Sequence, residues 1–306
     1  MKILKYLGLT VAVLGAVIAL AVGYLSFIKQ PASRPPSDEK VELIDSRIEH
    51  GRYLYEHVAA CSSCHGERDF AVLGAPVKDG ASAAGSCFPE GFDVPGKVCP
   101  PNLTPHQTAG LGAWSDGELM RAIREGVDRN GEALFMMNNY KLSDEDTRAI
   151  VAYLRSRPPS DKVRTSEIAF PVKLISKFFP EPLEGPIPHP KEGDVVGYGK
   201  YLAGMAGCEG CHSGAAGLFA GGEQAQMPYG TEVVRNITPD PVAGIGQMTK
   251  EQFIQLFRGW ASAPTAPPAG KAFMPWRAFA GMNEQDLGAI YEYLRTVPPV
   301  GATTET

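Results

Sequence analysis

From Leu7 to Ile28 the chain carries no charged side chain. A run of that length matches the roughly 20 apolar residues that cross a bilayer as a helix. Lys2 and Lys5 stand before it, which by the positive-inside rule leaves the body of the chain on the outer side. The competing reading is a cleaved signal peptide ending near Ala19-Leu20-Ala21, although the apolar run is long for a signal core. Both readings export the body. Beyond this run the apolar positions follow a helical period, and they do so twice. Ile150 and Leu154, then Ile290 and Leu294, recur at i,i+4 and predict an apolar stripe on each of two helices. Pro158-Pro159 and Pro298-Pro299 stop those helices. Ser115-Asp-Gly-Glu118 reads as a capping box opening an earlier helix, with Thr249-Lys-Glu-Gln252 as its counterpart. The later helices open at Ser143-Asp-Glu-Asp146 and Asn283-Glu-Gln-Asp286.

The two halves align further, as an internal repeat. Gly51-Arg-Tyr-Leu54 matches Gly199-Lys-Tyr-Leu202, and Asn102-Leu-Thr-Pro105 matches Asn236-Ile-Thr-Pro239. Arg124 matches Arg258, and Ala149-Ile150 through Arg155 matches Ala289-Ile290 through Arg295. Each copy therefore predicts about three helices. Residues 29–45, opening Lys29-Gln-Pro-Ala-Ser-Arg-Pro-Pro-Ser37, read as a flexible stalk. Phe170 to Phe179, inside the Pro-rich link between the copies, is too apolar for a free linker and is expected to pack on a surface.

Composition adds a loop-rich character, with 34 Gly and 26 Pro in 306 residues. The net charge is −5, and the first 30 residues hold three lysines and no acid, so the remainder is more acidic still. That balance argues against nucleic acid as a partner. There is no Gly-rich nucleotide loop, no Ser/His/Asp order of a hydrolase and no H-E-x-x-H.

The chemistry lies in Cys61-Ser-Ser-Cys64-His65 and Cys208-Glu-Gly-Cys211-His212. C-x-x-C-H reads as a c-type haem attachment site. The thiols bond the haem vinyl groups, and the next residue, His, falls beneath the iron as its proximal ligand. Two such motifs predict two haem c groups, held by Cys61, Cys64, Cys208 and Cys211 and ligated by His65 and His212. The bland alternative is a pair of zinc half-sites, yet a zinc ribbon brings its pairs together over a short gap and these lie 147 positions apart. Cys87 and Cys99 remain, in a segment where the first copy is 13 residues longer than the second. In an oxidising compartment they are expected to form a disulfide contributing about 3 kcal/mol by loop closure. A redox-active pair is the minor reading.

This order of signals resembles the class I cytochrome c fold in tandem, over roughly residues 46–300. It is similar to the membrane-anchored cytochrome c subunits that serve periplasmic dehydrogenases, such as those for alcohol or gluconate, although those carry three haem domains and this chain has motifs for two. The resemblance implies an all-α protein: anchor 1–28, stalk 29–45, cytochrome c domain 46–160, linker 161–195 and a second domain 196–300. It implies a respiratory electron-transfer protein on the inner membrane with its haem domains in the periplasm. Electrons would pass from a periplasmic dehydrogenase or other donor to an oxidase, a quinone or a soluble cytochrome. A dihaem oxidoreductase such as a thiosulfate dehydrogenase, with catalysis at one open iron, is the alternative.

The family also implies a Met as sixth iron ligand from the loop before the last helix, and its soft sulfur raises the potential. Met274, in Phe273-Met274-Pro275-Trp276, holds that place in the second half, with Met282, close to the start of the last helix, as the lesser choice. In the first half, Phe135-Met136-Met137-Asn138-Asn139-Tyr140 lacks the Pro, so Met136 and Met137 both stand. Met120 reads as core, and His57 and His106 are the candidates should that iron be His-ligated. Asn102, Thr104 and Pro105, with Asn236, Thr238 and Pro239, are expected to wall the proximal side. A proline carbonyl there would orient the His ring, and the polar groups would be open to haem propionates. Arg124 and Arg258 are expected either beside propionates or as solvated arginines, and Tyr53, Tyr201, Trp114 and Trp276 as aromatics packing on haem.

Overall fold

The computed structural model describes residues 2–301 apart from 71, 73, 93, 138–140, 192, 228–229 and 262–273. Asn138, Asn139, Tyr140 and Phe273, which frame the candidate Met loops, lie outside the described residues. Helix α1 (Lys2–Phe27) contains the apolar window Lys5–Phe27, long and apolar enough to cross a membrane, none of which is buried in the protein. The first half then runs through α2 (Asp45–Tyr53), a π-helical turn (Leu54–Val58), α3 (Ser62–His65), strand β1 (Gly96–Lys97), α4 (Asp116–Glu125) and α5 (Asp144–Ser156). The link carries strand β2 (Glu167–Ile168) and α6 (Phe170–Ile175), extended by a 3-10 turn (Ser176–Phe178). The second half holds α7 (Val195–Met205), α8 (Cys208–His212), β3 (Gln224–Met227), β4 (Gly230–Val233), α9 (Lys250–Arg258), α10 (Trp276–Phe279) and α11 (Glu284–Leu294).

The protein is thus not purely helical. β1 pairs antiparallel with β2, and β3 with β4. These pairs form in loop segments with no helical period, where backbone N–H and C=O groups must find partners outside helices.

The helix starts follow their cap chemistry. Ser115 with Glu118, and Thr249 with Gln252, make both bonds of a capping box. Ser143 and Asn283 accept from the N–H groups of Asp146 and Asp286. Each such cap is worth about 1 kcal/mol. α2 packs on α5 and α7 on α11, so the repeat is one of architecture as well as of sequence. A single buried cluster joins Leu54, Tyr55, Ile150 and Leu154 of the first half to Leu202, Phe253, Leu287 and Leu294 of the second.

Where the halves meet, the repeated residues exchange bonds. Tyr53 donates to Asp286 Oδ2 at 2.6 Å, and its counterpart Tyr201 donates to Asp146 Oδ2. Each phenol oxygen also accepts a backbone N–H at the start of the opposite last helix, from Asn283 and Ser143 respectively. Both carboxylates are buried, and each has a second partner from its own half: Tyr198 on Asp286 and His50 on Asp146. Burial, with the neighbouring carboxylates, pushes the Tyr53 and Tyr201 phenols far above their usual range, so both remain donors. Tyr53 and Tyr201, expected as aromatics packing on haem, bridge the halves instead. Tyr53→Phe and Tyr201→Phe are each expected to cost about 1.5–3 kcal/mol in urea unfolding, because a buried carboxylate loses a donor. Two results below about 0.5 kcal/mol would remove these bonds as determinants of how the halves sit.

The His50–Asp146 bond (2.6 Å) adds a pH dependence. It raises the His50 pKa above the usual value despite partial desolvation. Desolvation pushes Asp146 up, but the bonds from His50 and Tyr201 outweigh it and hold the carboxyl below its usual range. The His50 contribution is therefore complete below about pH 6.5 and is lost as pH rises through the higher folded value. That of Asp146 is complete above about pH 3.9 and lost as pH falls through its lowered value. Stability is expected to decline above neutral pH, and His50→Gln to flatten that decline in unfolding curves taken from pH 6 to 9.

Residues 29–45 are not a free stalk. Arg34 bonds the buried Glu125 at 2.8 Å, Glu39 pairs with Arg148, and the Val41 N–H donates to Asp116 at 2.9 Å. Ser37 lies so close to Gly117 that a Cβ there would stand 1.9 Å from the Ser37 carbonyl oxygen. The segment is a strap across α4 and α5, held by these ion pairs and by its own backbone. Cys87 and Cys99 are joined by a disulfide in the insert of the first half.

Candidate functional site

Each C-x-x-C-H segment is one helical turn entered through a residue in the left-handed region. Ala60 (φ 47°) turns the chain into α3 and Gly207 (φ 69°) into α8. Spacing of i, i+3 and i+4 then gathers Cys61, Cys64 and His65 on one side, and Cys208, Cys211 and His212 likewise. Gly85 (φ 76°) and Gly221 (φ 64°) next fold the chain back, their N–H groups bonded to the carbonyls of His65 and His212. A Cβ at Gly221 would stand 2.5 Å from the Val234 carbonyl oxygen, so this return is open only to glycine.

That return sets the imidazoles. His65 Nδ1 lies 3.0 Å from the Pro101 carbonyl and His212 Nδ1 lies 2.7 Å from the Arg235 carbonyl. A carbonyl only accepts, so both Nδ1 atoms carry the proton and Nε2 is left as the lone-pair donor. Burial pulls both imidazoles below their usual pKa, which keeps them neutral. The orienting carbonyls thus come from the residue before each Asn, and only one of the two is a proline. Asn102 and Thr104 have another task. Asn102 Nδ2 donates to the carbonyls of Ser160 and Lys162, and Thr104 Oγ1 accepts from the Ser160 N–H. Asn236 and Thr238 hold Val300 in the same way. These groups bind the chain that leaves each last helix.

Both motifs line one continuous cavity of about 2270 Å³. Sites for a single small ligand run to roughly 300–1,000 Å³. Its wall is mainly apolar and matched between halves, with Leu103 and Leu111 answering to Ile237 and Ile245. Met136, Met137 and Met274 line it, as do Trp114 and Trp276. Met136 is 51% exposed with its backbone in the left-handed region (φ 64°), whereas Met137 is half-buried. Met120 and Met282 are core residues. His57 and His106 do not line the cavity. His57 Nδ1 meets the Ala278 carbonyl at 3.0 Å, and His106 Nδ1 accepts the Ala109 N–H. Arg124 is buried and paired with Asp144 at 2.7 Å, and Arg258 donates to the Ala280 carbonyl.

Burial pushes the Cys61 and Cys208 thiols up to about 12. Neither has the thiolate character of a catalytic or redox cysteine. Burial raises the Cys64 and Cys211 thiols too. Among the described residues no group of three or more His, Cys, Asp or Glu side chains is placed to share a metal ion, which removes the reading of the pairs as one zinc site. Four unpaired thiols, two neutral imidazoles with Nε2 available and an apolar cavity with thioethers on its wall fit haem c.

Comparison with known proteins agrees with this chemistry. Residues 48–158 match the family profile described as Cytochrome c. The chain is 25% identical over 310 residues to the gluconate 2-dehydrogenase cytochrome c subunit of Pantoea cypripedii, covering 92% of this chain and 65% of that one. It is 25% identical over 283 residues to the fructose dehydrogenase cytochrome subunit of Gluconobacter japonicus, covering 85% and 54%. It is 24% identical over 275 residues to a dihaem cytochrome c-type protein of Cereibacter sphaeroides, covering 78% and 82%. The chain thus spans just under two thirds of the first relative and about half of the second.

Proposed function

We propose, from the premise that residues 48–158 are a cytochrome c domain, that residues 196–300 are a second one and that the chain is a dihaem electron relay. In this reading α1 anchors the protein in the inner membrane with both domains in the periplasm. The chain takes electrons from a dehydrogenase, as the names of its relatives suggest, and delivers them to a quinone, an oxidase or a soluble cytochrome. The observation that carries the reading is the one cavity that both C-x-x-C-H turns line. Haem, when bound, supplies one-electron chemistry. The protein supplies covalent attachment through Cys61, Cys64, Cys208 and Cys211. The carbonyls of Pro101 and Arg235 hold His65 and His212 as neutral ligands, and the apolar wall excludes water and so favours the less charged, reduced iron. Met274, on the cavity wall, would supply the thioether ligand in the second half. Met137 is favoured over Met136 in the first, because its side chain is less exposed.

The test is a haem count on the purified protein, followed by low-temperature optical and magnetic resonance spectra with a redox titration. Two low-spin haems per chain, each with the weak band at the red end of the spectrum that marks Met ligation, support the relay. One high-spin iron that binds cyanide or thiosulfate would replace it with an enzyme whose reaction occurs in the first domain.

A further inference from the structure

The link between the halves holds an apolar surface that electron relay does not use. Phe170, Ile175, Phe178 and Phe179 are exposed, at 57, 53, 58 and 48%. Within the same stretch Leu174, Ser176 and Lys177 are buried. Four of the stretch's large apolar side chains thus face away from the protein, while one of its two lysines is buried, the reverse of the usual distribution on a helix that covers a protein core.

Its buried side shows where it sits. Lys177 Nζ donates to the carbonyls of Leu25, Ser26 and Lys29 at 2.9, 3.2 and 3.1 Å. Those belong to the last turn of α1 and the residues just after it, the carbonyls a helix leaves without partners and the end its dipole makes negative. The Lys29 ammonium in turn lies over the Phe178 ring, 5.5 Å from its centroid. The 23-residue apolar window of α1 ends at Phe27. At about 1.5 Å per residue it is roughly 34 Å long, against about 30 Å of hydrocarbon, so its end reaches the headgroup layer. Tyr24, Phe27 and Ile28, at this same end of α1, are exposed as well.

The disulfide insert, longer in the first copy, holds this stretch in place. β1 of the insert pairs with β2, and the Ala169 N–H donates to Pro95. Ser166 bridges the N–H and the carbonyl of Cys99. α6 begins at the next residue after Ala169.

We propose that residues 170–179 lie in the headgroup layer of a phospholipid bilayer beside the end of α1, with the Cys87–Cys99 insert as their bracket. The haem-bearing body is thereby held at a fixed tilt to the membrane instead of swinging on a tether. This inference rests on the reading of α1 as a membrane span.

The test reconstitutes the full chain into vesicles of phosphatidylcholine and phosphatidylglycerol that contain a phospholipid with a photoactivatable diazirine on its acyl chain. Adducts are then mapped by mass spectrometry. Adducts on both α1 and residues 170–179 are expected. Adducts on α1 alone overturn the proposal and leave the anchor standing, including the case where a second copy or another subunit shields the face. Adducts on neither overturn both. Joint replacement Cys87→Ser and Cys99→Ser is expected to reduce labelling of residues 170–179 severalfold while that of α1 is unchanged. Equal labelling would remove the insert from its role as bracket.

Discussion

Alanine in place of Gly51 is expected to destabilise the protein by about 3 kcal/mol, at the upper end of the overpacking range, and Gly199→Ala by a similar amount. A Cβ at Gly51 would stand 1.8 Å from the Ala149 carbonyl oxygen, and one at Gly199 would stand 1.9 Å from that of Ala289. Both obstacles are backbone atoms inside α5 and α11, so no rotamer change relieves them. The helices must separate instead. That opens the contact of α2 on α5, or α7 on α11, just before the chain enters the cysteine-bearing turn. Loss of covalently attached haem is expected to accompany the loss of stability. Gly288→Ala supplies the control, since it lies on α11, away from the cavity, and an added Cβ there would meet only side-chain carbons, the nearer being Lys250 Cδ at 3.5 Å. It is expected to be neutral or to stabilise by up to about 1 kcal/mol through helix propensity. Guanidinium unfolding of the three variants decides the matter. Equal effects of Gly199→Ala and Gly288→Ala would show that the crossing is looser than described.

Met274→Leu is expected to leave one iron without its sixth ligand while nearly conserving side-chain volume. The optical band of Met ligation should halve and one haem should turn high-spin. Met274→His should restore a low-spin iron with a midpoint potential lower by on the order of 0.2 V, a fraction of the roughly 0.8 V over which axial ligands act. Leu and His variants that differ in potential and spin state, yet unfold alike, separate ligation from mere packing. Unchanged spectra and potentials in both would assign Met274 to the core. The same pair of substitutions at Met136 and at Met137 is expected to move the other haem from Met137 only.

The chain discloses its chemistry locally. Cys61, Cys64 and His65 fall on one side of a turn because of their spacing, and the same spacing at Cys208 repeats the result. Ser115, Ser143, Thr249 and Asn283 announce helix starts because a cap is a contact between residues three apart. The matched residues of the two halves disclose the repeat. What the pattern hides is the identity of long-range partners. Aligning the halves pairs Tyr53 with Tyr201 and Asp146 with Asp286, a signal that something is shared, but not that each tyrosine serves the other half's aspartate. Tyr53 and Asp286 are 233 positions apart, and no period connects them.

The residues thus determined by themselves which cysteines and histidines share a turn, which segments are helical and which run is long and apolar enough to cross a bilayer, since each depends on spacing, capping or composition within a few turns. Only the tertiary structure decided that the carbonyls of Pro101 and Arg235 orient the histidines, that residues 29–45 strap α4 and α5, and that Lys177 closes the end of α1. Each of these is a polar group meeting a partner brought near by the packing of other elements. Such a pairing exists only once the apolar faces have chosen their neighbours.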